Sequence, residues 1–190
     1  KGYTKPADGL AKFIEVNMGS SSVCAPVSGV DLVETGHEIR HVRLTLTGVV
    51  VATADHTTSG GEGSKQLLTF PAGNILVLGA ISTLALTADG TGLLTGAELV
   101  SSIGSAVAGT GATLSGTEAD IIPSTVSTLT SLAGAMAGKS TAIAQLNGTS
   151  TNAKAYLNFA VADAGHGDGE AGSVTVTGTI DIFYKNLGDI

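Results

Sequence analysis

The chain has 190 residues, 43% of them hydrophobic, 13% charged and 4% aromatic, with 27 glycines and no tryptophan; a composition this apolar and charge-poor excludes a disordered chain and suits one domain with a real core. Nine Lys and Arg against sixteen Asp and Glu give a net charge of −7, and no Lys or Arg occurs between Lys65 and Lys139, which excludes a clustered phosphate-neutralising surface for nucleic acid and disfavours an anionic membrane. Cys24 is the single cysteine, so an intrachain disulfide is excluded.

Residues 1–36 mix Pro6, Pro26, a Gly-Ser-Ser-Ser run and short apolar groups without a sustained period. That pattern predicts an extended N-terminal arm, followed by a domain over 37–190. From Ile39 the period becomes two: Ile39, His41, Arg43, Thr45 and Thr47 alternate with Arg40, Val42, Leu44 and Leu46. This is a half-buried strand, and it continues through "GVVVATA" to a Gly-rich turn at "DHTTSGGEGSK".

The apolar run from Gln66 to Ala88 is interrupted by Pro71, Gly73 and Asn74, leaving less than the roughly 20 residues of a membrane-spanning helix. Two buried strands, Asn74 to Ala80 and Ser82 to Ala88, are predicted there, closed by a turn at Asp89 to Gly92. Further on, "LTGAE" and "LSGTE" each place a hydroxyl residue three positions before Glu98 or Glu118. That spacing is a capping box, and Leu99, Ile103 and Val107 fit one helical face. A helical insertion over about 95–135, of one or two short helices, is therefore predicted, with Pro123 stopping the second almost at once. At the C-terminus "KAYLNFAVA" and "SVTVTGTIDIFYK" alternate strictly, and a hairpin across the Gly-rich loop between them is predicted. The predicted fold class is mainly β, an antiparallel, jelly-roll-like β-sandwich with a helical insertion and an N-terminal arm.

Three motifs carry possible chemistry. His37, Glu38 and His41 match the zinc-protease spacing H-E-x-x-H, which needs a helix to bring both imidazoles to one ion. On a strand they would stand about 13 Å apart, too far for bonds of about 2 Å, so the strand pattern after Ile39 argues against a metal. Gly138, Lys139 and Ser140 match the end of a phosphate-binding loop, but neither a strong preceding strand nor a long following helix accompanies them, so a Gly-Ala connector is predicted. Asp163, His166, Asp168 and Glu170 share one Gly-rich loop that offers oxygen ligands for calcium, although Gly165 and Gly167 break the EF-hand spacing. Nothing around Ser21, Ser101 or Ser140 forms a G-x-S-x-G nucleophile elbow. The residues thus point to no catalytic, cofactor or metal site.

The stretches "LTLTGVVVATADHTTSGGEGSKQLLTFPAGNILVLGA", "GTEADIIPSTVSTLTSLAGAMAG", "AYLNFAVADAG" and "VTVTGTIDIFY", together spanning about Leu44 to Tyr184, resemble small virion structural or capsid-decoration proteins of tailed bacteriophages. The resemblance implies a non-enzymatic, β-rich protein on the capsid surface, with the major capsid protein as partner and no cofactor. A homo-oligomer is expected alongside it, a trimer being one arrangement. The arm lies outside the resemblance; its apolar residues Phe13, Ile14 and Val16 are expected to bind the partner. The rival expectation is a head-fibre or tail module that recognises a host glycan, for which three Tyr and four Phe are a thin supply of sugar platforms.

Overall fold

The computed structural model describes residues 24–36, 38–56, 60–111, 113–162 and 171–188. Among the described residues eleven strands make an antiparallel, curled sheet: β1 (Ala25–Pro26), β2 (Val30–Gly36), β3 (Arg40–His56), β4 (Gly60–Thr69), β5 (Gly73–Ala88), β6 (Glu98–Gly104), β7 (Ile122–Thr128), β8 (Ala133–Lys139), β9 (Ala144–Gly148), β10 (Lys154–Val161) and β11 (Gly172–Gly188). The order along the sheet is β7-β6-β10-β4-β3-β11-β5-β8, with β1, β2 and β9 added beside β4, β3 and β5. Pairing is nested. β3 pairs with β11, β4 with β10, β5 with β8 and β6 with β7, so the outermost strands of the chain meet first and the innermost last.

The two ends of this path come back against each other. Ala135 N–H donates to Ser127 Oγ at 3.1 Å, and the Ser140 hydroxyl donates to the Ile121 carbonyl at 2.7 Å. The curl encloses one apolar core, with Leu44, Leu46, Ile180 and Ile182 from β3 and β11 and Leu99, Ile103, Leu157 and Phe159 from β6 and β10, all at most 2% exposed. Alternation of apolar and Thr residues drives this, because a two-residue period can bury only one face of each strand. Gly48 keeps the alternation in step. It sits at a bulge where Thr47 pairs with Thr177 and Val49 with Val176, and its φ of +70° is open to glycine at little cost; Thr47 thereby stays outside and Val49 inside.

Five expectations are corrected. The two strands predicted over 74–88 are one unbroken strand, β5, and the Gly-rich turn predicted over 55–65 gives way to strand β4 from Gly60 onward. The arm ends earlier than residue 36, because β2 pairs with β3 from Val30↔Leu46 to Gly36↔Arg40 and β1 pairs with β4; the three apolar residues Val30, Leu32 and Val33 were too few to reveal the strand. No helical insertion occupies 95–135 among the described residues. β6, β7 and β8 run there instead, with one 3-10 turn at Gly116–Glu118. Leu99 and Ile103 satisfy both a helical and a two-residue period, and the deciding residue is Ser101, fully buried between them and bonded across to Thr125. Finally, β10 and β11 form no hairpin: β10 lies between β4 and β6, and β11 between β3 and β5. Their alternation was read correctly, but alternation carries no information about which strand is the neighbour.

The second hydroxyl-Glu spacing works locally. The Glu118 carboxylate accepts from Ser115 N–H at 2.9 Å and Gly109 N–H at 2.6 Å, tying together the two described parts, 105–111 and 113–118, of a strap. The strap crosses the outer side of β6, β10 and β4 above a register row of Ser102, Asn158 and Ser64. Asn158, fully buried, donates to the carbonyls of Ala106 and Glu118 at 2.9 and 2.8 Å and accepts from Ser64 at 2.7 Å. Gly104 permits the close approach, since a Cβ there would stand 2.2 Å from the Glu118 carbonyl carbon.

Candidate interaction face

The outer side of β2, β3, β11, β5 and β8 is one continuous surface, because cross-strand register sets its outward residues in rows. Thr35, His41, Phe183 and Gly79 form the first row, and Val33, Arg43, Asp181, Ile81 and Lys139 the second. Asp31, Thr45, Thr179, Thr83 and Ala137 follow, then Thr47, Thr177, Ala85 and Ala135, then Val50, Thr175, Thr87 and Ala133. Threonine suits this position: its branched Cβ favours the strand, and its methyl and hydroxyl serve a face that is neither core nor strongly hydrated.

The charged end of the face is held rigidly. Arg43 donates from Nε and Nη2 to Asp181 at 2.9 and 3.0 Å, and His41 Nε2, 2.6 Å from Asp181 Oδ1, is the donor to that carboxylate. The His41 ring stacks on Phe183, centroids 4.6 Å apart and 10° from parallel. These donors, Arg43 first and His41 after it, hold the Asp181 carboxyl below its ordinary value against the opposing effect of burial. The group is a cross-strand brace rather than an open acid–base pair, for both carboxylate oxygens are engaged.

Beneath β2 lies a second polar centre, facing inward. The buried Glu34 carboxylate accepts from Tyr184 O–H at 2.7 Å, Arg40 Nη1 at 2.8 Å and Cys24 N–H at 2.7 Å. Tyr184 also stands edge-on to Phe70, and Cys24 Sγ lies 3.4 Å from its hydroxyl. Burial pushes the Cys24 thiol up to about 12, and burial likewise raises the Tyr184 phenol. Cys24 is therefore a protonated core group with no thiolate character at neutral pH.

The sequence-derived candidates fall as follows. Phe13, Ile14, Val16, His37 and the Asp163–Glu170 loop lie outside the described residues. His41 is on β3 and committed to Asp181 and Phe183. Gly138 and Lys139 close β8, so the predicted Gly-Ala connector is corrected to a strand. Its small residues are needed because β7 sits on them: a Cβ on Gly138 would reach within 2.6 Å of Ile122 Cγ2. Ser140 is spent on the Ile121 carbonyl. A shallow depression of about 350 Å3 between Ala119–Pro123 and Thr141–Gln145 is lined in part by Asp120, whose carboxylate is taken by Ser105 N–H and Oγ at 2.8 and 2.6 Å.

Glu34, Asp181 and the threonine rows escaped sequence reasoning as a site. The visible signal was Thr at alternate positions in "LTLTG" and "TVTGT", but only register shows that those runs lie side by side. Neither protein-family models nor curated proteins give a match to the chain.

Proposed function

We propose that the protein is a non-enzymatic structural component of a bacteriophage virion, a head decoration protein that binds the major capsid protein and reinforces the shell. The observation that carries this reading is the nested strand order. It divides into β7-β6-β10-β4 and β3-β11-β5-β8, the arrangement that results when four nested strand pairs are rolled into two facing layers. We read it as the jelly-roll sandwich expected from the sequence, an architecture that recurs in viral capsid domains. A charge-poor β-scaffold suits contact with a repeating protein surface better than enclosure of a small substrate. Phe13, Ile14 and Val16 remain our candidates for contact with the shell.

Heads carrying the protein and heads stripped of it, heated in parallel and scored for retained genome, test the role. Stripped heads should release DNA at a lower temperature; identical release would overturn the stabilising function. The His41–Phe183 stack beside Asp181 and Arg43 supports a second reading, a glycan-binding module, and a glycan array without hits would discard it.

A further inference from the structure

We infer that the outer face of β2, β3, β11, β5 and β8 seats the same face of a second copy of this chain. Of the ten large apolar side chains exposed among the described residues, four lie on this one face: Val33, Val50, Ile81 and Phe183. The remainder are distributed over other parts of the fold. Val33, Ile81 and Phe183 surround the Arg43–Asp181 pair, giving apolar anchors and an Arg at one end of the face, the composition that dominates binding energy at protein interfaces.

Charge selects the occupant. The chain carries −7, so two copies repel across most of their surfaces. This face is balanced, with Asp31 and Asp181 set against Arg43 and Lys139, and the whole net charge resides elsewhere. A strongly basic partner would find little to hold here; an identical neutral face meets no opposition. Size fits as well: five strands about 4.8 Å apart and five rows about 6.8 Å apart, with β2 absent from two rows and β8 from one, cover about 700 Å2, close to the area each partner contributes to a standard stable interface. Threonine hydroxyls serve as donors and acceptors at once, so a copy of the same row can pair with itself, and two twisted sheets stack with their strands within about 30° of parallel.

This inference is independent of the virion reading. It is tested by sedimentation equilibrium of the full chain, wild type beside Thr177→Arg and Ile81→Lys, with circular dichroism melts to establish that each variant is folded. Both positions are exposed, and each substitution acts twice across a two-fold interface. The wild type should sediment as two copies at about 10 μM, with each folded variant weakened about 100-fold or more in self-association. A wild type that stays monomeric at about 100 μM, or a dimer indifferent to both substitutions, overturns the inference. A monomer that still decorates heads leaves the virion reading standing, whereas a dimer that never binds heads does the reverse.

Discussion

Tyr184 donates its phenolic hydrogen to Glu34 at 2.7 Å across 150 positions of sequence, joining β11, the last strand, to β2. The carboxylate simultaneously holds Arg40 and the Cys24 amide. The end of the N-terminal region is thereby tied into the core by one buried anion with three donors.

Glu34→Ala removes the anion and leaves the Arg40 charge, the Tyr184 hydroxyl and the Cys24 amide without it. The expected cost is about 3–5 kcal/mol, read as a fall of about 6–20 °C in Tm for a domain of this size. Tyr184→Phe should cost about 1–3 kcal/mol, and a double-mutant cycle should show the two effects coupled. A Glu34→Ala protein within 1 kcal/mol of wild type by urea titration would contradict the arrangement.

The Cys24 thiol should be inert in the folded protein and reactive once it unfolds. With its folded value raised from 9.0 to about 12, its contribution to stability is complete below pH 9 and lost as pH rises from there towards 12. Thiol titration with a disulfide reagent at pH 8 should give no fast phase in buffer and one equivalent in denaturant. Rapid labelling of the native protein would show Cys24 to be accessible.

Asp181 titrates in the opposite sense. Its folded value lies below the ordinary 3.8, so the stability it contributes is present above pH 3.8 and lost as pH falls through the lowered value. The Tm difference between wild type and Asp181→Asn should be largest near neutral pH and shrink below about pH 4. A difference that stays constant down to pH 2 would mean that the Arg43 and His41 contacts do not depend on the carboxylate charge.

Asn158→Ala should loosen the strap over 105–111 and 113–118 without disturbing the opposite wall. Losing the bonds to Ala106, Glu118 and Ser64 should cost about 2–3 kcal/mol, and amide exchange at Ala106, Ala108 and Gly109 should accelerate while amides of β3 and β11 hold their protection. Uniform acceleration throughout would show that the strap does not open on its own.

Much of this fold was legible because Thr and branched apolar residues alternate so regularly. β3 and β11 could be read almost residue by residue, β5 was read as two strands where there is one, and the Asp89 turn is there, its carboxylate accepting from Thr91 and Leu93 N–H. The middle was misread where two periods coincide, as at Leu99 and Ile103, and where Gly and Ala in β8 leave no apolar period at all. Pairing was the least legible level. Nothing in "KAYLNFAVA" says that its neighbours are β4 and β6, and nothing in Glu34 or Asp181 taken singly says which donors will surround it. Most of those relations arise from register between segments distant in sequence, which local propensity does not encode.

The proposed role requires the protein to be part of a virion. Cryo-electron microscopy of washed phage particles whose genome encodes this chain, with protein composition measured by mass spectrometry on the same sample, tests that directly. That role predicts the chain in regular stoichiometry with the major capsid protein and an eleven-stranded β-density on the outer shell. Particles free of the chain, or density for it only at the tail tip, would contradict it.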